Sequence, residues 1–219
     1  MLRENTIVVF SSDQGPGDIR DPDQAQDKAM KTRKAAKLAD KGGKTFDMDY
    51  VRVNAMGFAD PFRGGKHGQY EGGVRVPFII RWPGHTPAGR VDEKSVISLG
   101  DWLPTLCAIT GTKINAADFD GEDVSAAWLG KAAHLRTYPL LWKTSAPQSA
   151  GAIRDGQWKL HHPNSKRGEL EPYDVVADPG EQKNLAAQHP DIVRQLSAKL
   201  EAWQAALPKS YDKGEDGDK

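Results

Sequence analysis

The chain contains a single cysteine, Cys107, among 219 residues. No internal disulfide and no thiolate metal cluster can form, so a disulfide-stapled scaffold is excluded. An excess of charge is also missing: thirty Lys and Arg offset thirty Asp and Glu. That balance argues against duplex nucleic acid as a partner, which favours a strongly basic surface. No apolar run approaches the roughly 18 residues that a membrane-spanning helix needs. The opening "MLRENTIVVF" has no charged n-region, long apolar h-region or small-residue cleavage site, and is not read as a signal peptide. This leaves the compartment open. No internal repeat is visible.

What is present suits one large domain or two small ones. Residues 6 to 11, Thr-Ile-Val-Val-Phe-Ser, form a β-rich run expected to be a strand buried on both faces, as in a parallel sheet. Residues 17 to 49 differ in composition, acidic first and basic later, and their centre has helix formers without an apolar stripe. This stretch reads as a solvated helix or mobile insertion rather than a basic recognition surface, within a variable insertion over 17–55. "VRVPFIIRW" is a second strand, closed by Pro83-Gly84. In "LGDWLPTLCAITG", Asp101 is the expected N-cap of a helix and Gly111 its end, with Leu103, Leu106, Cys107 and Thr110 on one face. Nothing near Cys107 would lower its pKa, so it reads as a small core residue.

After residue 134 the rhythm becomes short strands and tight turns. "YPLLWK", "SAGAIR", "QWKLHH" and "EPYDVV" are four strands, the second and third joined at Asp155-Gly156, a strong hairpin signal. A helix begins near Pro190 with Ile192, Leu196, Leu200, Trp203 and Leu207 on one stripe. The fold class is thus α/β over residues 1–134, then a small α+β domain over 135–208 with a four-stranded antiparallel sheet and a C-terminal helix. Residues 209–219 read as a disordered tail.

Two stretches could carry chemistry. The first strand ends on Asp13 and Gln14 before Gly15-Pro16-Gly17. This is either an ordinary turn or a ligand site, because open α/β sheets bind ligands beyond the carboxyl ends of their strands. A carboxylate and an amide carbonyl are hard oxygen donors suited to Ca²⁺ or Mg²⁺, but calcium takes six to eight oxygens and two are too few. The second stretch is "RGGKHGQYEGG". Its glycines let backbone approach a ligand, and Lys66 is a compact charge suited to sulfate or phosphate. His67 is a candidate substrate contact, and Glu71 and Arg75 read as structural ties to the strand behind. His161 and His162 are adjacent on a strand, point to opposite faces and cannot share a site.

Five blocks, "NTIVVFSSDQGP", "PFRGGKHGQYEGGVRVPFIIRWPG", "SLGDWLPTLCAITG", "AIRDGQWKL" and "PYDVVADPGEQKNLAAQHPDIVRQLSAKLEAW", stand in the order and type seen in type I sulfatases. The chain resembles the C-terminal portion of that family, of the arylsulfatase or N-acetylgalactosamine-6-sulfatase-like group within the alkaline phosphatase-like superfamily. The resemblance implies a partial sheet sandwiched by helices and hydrolysis of sulfate esters. It implies that Asp13 is a metal-ligand carboxylate, the metal usually calcium. Gln14 stands where the family commonly has Asn, one methylene shorter. Lys66 matches the lysine that contacts the sulfate group, with His67 beside it on the substrate side.

The family's nucleophile is a formylglycine made from Cys or Ser in a C/S-x-P-x-R motif. No such motif occurs in these 219 residues, and the one cysteine reads "LCAITG". The expectation is therefore a chain that supplies metal and sulfate ligands, is inactive alone, and pairs with an N-terminal sulfatase half. A sulfated small molecule or glycan is the expected substrate. The alternative is a non-catalytic module that binds sulfated glycans or a protein partner. Strands 6 to 11 and 76 to 82 would then be inner strands lacking neighbours, and self-association is expected.

Overall fold

The computed structural model describes residues 4–18, 56–57, 59–143, 151–163 and 168–207. Apart from residues 17 and 18, the beginning of the segment read as an insertion, that segment up to residue 55 lies outside the described residues, as does the tail from 209. In chain order come β1 (Val8–Ser11), β2 (Gly17–Asp18), β3 (Met56–Gly57), α1 (Glu71–Val74) and β4 (Phe78–Arg81). Helices α2 (Trp102–Thr110) and α3 (Ser125–Trp128) follow, then β5 (Leu140–Lys143), β6 (Gly151–Asp155), β7 (Trp158–His162), β8 (Glu171–Asp174) and α4 (Pro190–Ala206). Two compact units result. One comprises Met1–Thr137 with Asp178–Gln182, the other Tyr138–Ala177 with Lys183–Lys219.

In the first unit β1 pairs antiparallel with β4, Val9 opposite Ile80 and Phe10 opposite Ile79. The expectation of a strand buried on both faces, in parallel-sheet fashion, is not met. Side chains alternate across a strand, so Val9, Ser11, Phe78 and Ile80 share one face and Val8, Phe10, Ile79 and Arg81 the other. The first face is backed by aromatic rings: Phe78 lies 5.4 Å from Trp128 and 6.0 Å from Trp102, centroid to centroid. The second is open, with Phe10 and Ile79 each 60% exposed. A two-residue parallel ladder between β2 and β3 brings together the two ends of the intervening segment.

Helix α2 ends on Gly111 in the left-handed region, φ 72°, where glycine carries no Cβ penalty. Its start differs from the expected cap. Asp101 makes no side-chain bond to α2; it closes a capping box with Ser98 around the short 3-10 turn Leu99–Asp101. The fully buried Asp101 carboxylate accepts from Ser98 N at 2.6 Å, Glu122 N at 2.8 Å and Arg136 Nη1 at 2.7 Å. Three donors offset the cost of burying that charge, and a helix cap would supply fewer. The buried face of α2 is also rotated from the expected one: Pro104, Thr105 and Cys107 point inward, while Leu103 and Thr110 are exposed. Thr105 is held there by accepting from Val124 N at 2.9 Å.

The second unit is the expected antiparallel sheet, in the order β5-β6-β7-β8, with α4 against it. Ile153 and Leu160 from neighbouring strands meet Leu196 and Leu200 from α4, all at most 2% exposed, flanked by Ile192 and Trp203. His161 and His162 do point apart: His162 reaches toward Glu201 of α4, while the His161 ring sits edge-on to Tyr173. The α/β reading followed by a small α+β unit therefore stands as a fold.

Candidate functional site

The tip of β1 is shaped by short side chains. Ser12 Oγ donates to the Gln14 carbonyl at 2.8 Å, bending the chain out of the strand. Asp13 is exposed at the bend, and Gln14 Nε2 donates to its Oδ2 at 3.1 Å. The next two residues attach this bend to the glycine-rich loop. Gly15 N donates to Gly73 O, and Lys66 N donates to Pro16 O, both at 2.8 Å. A Cβ on the buried Gly15 would overlap the Gly72 carbonyl, so only glycine lets the two backbones lie this close.

The loop itself turns tightly. Gly68 N donates to Gly65 O at 2.9 Å, with Lys66 and His67 exposed at the apex between them. His67 has φ 69°, the left-handed region that non-glycine residues seldom adopt. Behind the apex the chain enters α1, and Gly72 N returns to Arg63 O at 2.8 Å. The Arg63 guanidinium lies 4.0 Å above the Tyr70 ring, and Arg75 lies 4.7 Å above Phe62. Arg75 also reaches the buried Glu71 carboxylate at 3.7 Å, in keeping with a structural reading of both.

Asp13, Gln14 and Lys66 are thus brought to one place by backbone bonds, and His67 follows on the same apex. Electrostatics agrees. The Gln14 amide holds the Asp13 carboxyl below the usual carboxylate range; slight desolvation opposes it, and the Lys66 ammonium adds attraction. As a metal site the pair is a fragment. Among the described residues no cluster of three or more His, Cys, Asp or Glu side chains gathers. A carboxylate beside an amide, whose carbonyl oxygen faces it after a half-turn of the amide, fits a hard divalent cation as part of a larger oxygen cage.

One residue of this neighbourhood has no signal in the residue pattern. The stretch Ala177-Asp178-Pro179-Gly180 reads only as a turn, yet the left-handed residue is the next one, Glu181, at φ 51°. Glu181 is fully buried, and its Oε2 accepts from Glu71 N at 2.6 Å across 110 residues of sequence. Such a partner can be found only in three dimensions.

Two family models match. The model described as "Sulfatase" matches residues 1–112, and "N-sulphoglucosamine sulphohydrolase, C-terminal" matches residues 65–206. An N-acetylgalactosamine-6-O-sulfatase of Bacteroides thetaiotaomicron is 32% identical over 92% of this chain and 37% of its own length. Human arylsulfatase A is 28% identical over 98% of this chain and 42% of its own. A structure solved in work on glycosaminoglycan metabolism by Bacteroides thetaiotaomicron is 27% identical with a TM-score of 0.63, covering 93% of this chain and 40% of that one. The chain therefore spans about two fifths of the length of these relatives.

Proposed function

We propose, from the premise that this chain belongs to the sulfatase family, that it is the C-terminal share of a sulfuric ester hydrolase. In this reading Lys66 binds the sulfate group, and Asp13 and Gln14 hold one side of a divalent metal, calcium being the suited ion. The metal, when bound, would stabilise negative charge on the sulfate oxygens. Lys66 places a point charge beside those same oxygens from a loop fixed to the strand tip, so its position costs no reorganisation when substrate arrives. His67 stands next to it as a substrate contact. The nucleophile comes from outside these 219 residues, and the chain by itself binds sulfate without turnover.

The observation that carries this reading is the bond from Lys66 N to Pro16 O, which ties the cationic loop to the acidic strand tip. A sulfated sugar is the substrate class that the names of the relatives favour. The partner is an N-terminal sulfatase segment, seated on the open face of Val8, Phe10 and Ile79. The test is a sulfate titration of the purified chain followed at the Lys66 amide, beside an aryl sulfate assay with and without calcium. Saturable shifts at residues 65–67, absent in Lys66→Ala, with no hydrolysis above the buffer rate, are expected. Enzyme-like hydrolysis by the chain alone, or shifts that survive Lys66→Ala, would overturn the reading.

A further inference from the structure

The loop that carries Lys66 is rich in glycine, so its own backbone resists few conformations. Something must select one. On one side the selection is visible in the bonds from Lys66 N to Pro16 O and from Gly15 N to Gly73 O. On the other side stands the turn Asp178–Gln182, which belongs to the same compact unit although it lies more than a hundred residues later. Its Glu181 reaches the loop through both side chain and backbone. The carboxylate accepts from Glu71 N at 2.6 Å, and the backbone carbonyl accepts from Arg63 Nη1 at 3.3 Å. These two positions bracket Lys66, three residues before it and five after.

Two features of Glu181 are unfavourable taken alone. Its carboxylate is fully buried, and burying a charge is costly unless donors surround it. Its backbone is left-handed, φ 51°, where a side chain bearing Cβ is strained and the preceding Gly180 would have been the cheaper choice. A turn needed only to reverse the chain would require neither. Both are explained if the carboxylate has to arrive at one particular amide, the Glu71 N that opens α1 directly behind the loop. Asp178 assists from within the turn, accepting from Glu181 N at 3.0 Å through its carbonyl and from Gln182 N at 2.8 Å through its carboxylate.

We infer that Glu181 is a positioning residue for the sulfate-binding loop: it clamps residues 63 and 71 so that Lys66 is presented at the tip of β1. The inference rests on the proposed role of Lys66 and assigns no contact between Glu181 and substrate. The test is amide hydrogen exchange by NMR on the intact chain, with Glu181→Gln and Glu181→Gly. Gln keeps a carbonyl acceptor for Glu71 N, whereas Gly removes the carboxylate and relieves the backbone strain. Exchange at Glu71 and Lys66 is expected to quicken at least tenfold in Glu181→Gly and to stay within twofold of the parent in Glu181→Gln. Amides of Ile153 and Leu160 in the second unit are expected not to change in either. The sulfate response at Lys66 should weaken at least fivefold in Gly and be retained in Gln.

Unchanged Lys66 protection in Glu181→Gly would overturn the inference, as would equal effects of Gln and Gly or a loss of protection spread over both units. Should Glu181→Gly not fold, Glu181→Asp, one methylene too short to reach Glu71 N, takes its place with the same expectations. A parent chain that shows the exchange pattern but no sulfate response would sink the role of Lys66 and leave the clamp standing.

Discussion

Asp92 shows what the hydrogen bonds around a single carboxylate contribute. Burial alone would raise its pKa. The amide and hydroxyl of Ser95, the amide of Lys94 and the Arg90 guanidinium overcome that and bring it from 3.8 to about 2. A carboxyl whose folded pKa is depressed stabilises the fold above its unfolded pKa and loses that contribution as pH falls through the folded one. The window is therefore pH 4 to 2, and the shift corresponds to about 2 kcal/mol. Asp92→Asn is expected to lower stability by about 1–2 kcal/mol at pH 7, since the amide keeps part of the acceptor capacity. Urea melts of parent and variant should converge between pH 4 and pH 2; a constant gap would refute the assignment. Asp13, by contrast, is exposed, and its lowered pKa comes first from the neighbouring Gln14 amide.

At the scale of elements, α4 and the sheet β5–β8 were legible because their periodicities are clean. Ile192, Leu196, Leu200 and Trp203 repeat at helical spacing, and the four strands are punctuated by turn residues. Leu200 is completely buried against Ile153 and Leu160. Leu200→Ala should cost about 3 kcal/mol by leaving a cavity the rigid sheet cannot fill. Glu201→Ala, one residue on and facing solvent, should cost under about 0.5 kcal/mol. Urea melts followed by the fluorescence of Trp158 and Trp203 separate the two; a near-neutral Leu200→Ala would mean that α4 is not held by this core. Helix α2 was less legible. Leu103 and Thr110 share a period with Cys107, yet the ring contacts of α2 with Phe78 and Trp128 are made by Trp102, and its bond to the chain before α3 by Thr105. Propensity locates a helix, whereas its rotation is set by what lies beside it.

At the scale of the molecule, the pairing of β1 with β4 leaves an apolar face uncovered. Val8 is 49% exposed and Phe10 and Ile79 are 60% exposed, on the same side of the same two strands. Contiguous apolar surface on strands with unpaired edges favours association. The isolated chain is expected to self-associate at micromolar concentration, and Phe10→Lys with Ile79→Lys to shift it toward monomer in sedimentation velocity. A parent chain that sediments as a monomer would contradict this. The sequence anticipates strands 6 to 11 and 76 to 82 lacking neighbours, but "TIVVF" alone does not tell which of its two faces lies open; the pairing with β4 decides that. By itself the sequence determined the family and the succession β1, β4, α2, β5 to β8 and α4, and it proposed Asp13, Gln14, Lys66 and His67 as site candidates, since motif and periodicity are local and survive without neighbours. Only the tertiary structure decided the antiparallel partner of β1, the rotation of α2, the donors around Asp101 and the reach of Glu181 to Glu71. Each of those depends on residues distant along the chain, and no local pattern encodes a distance through space.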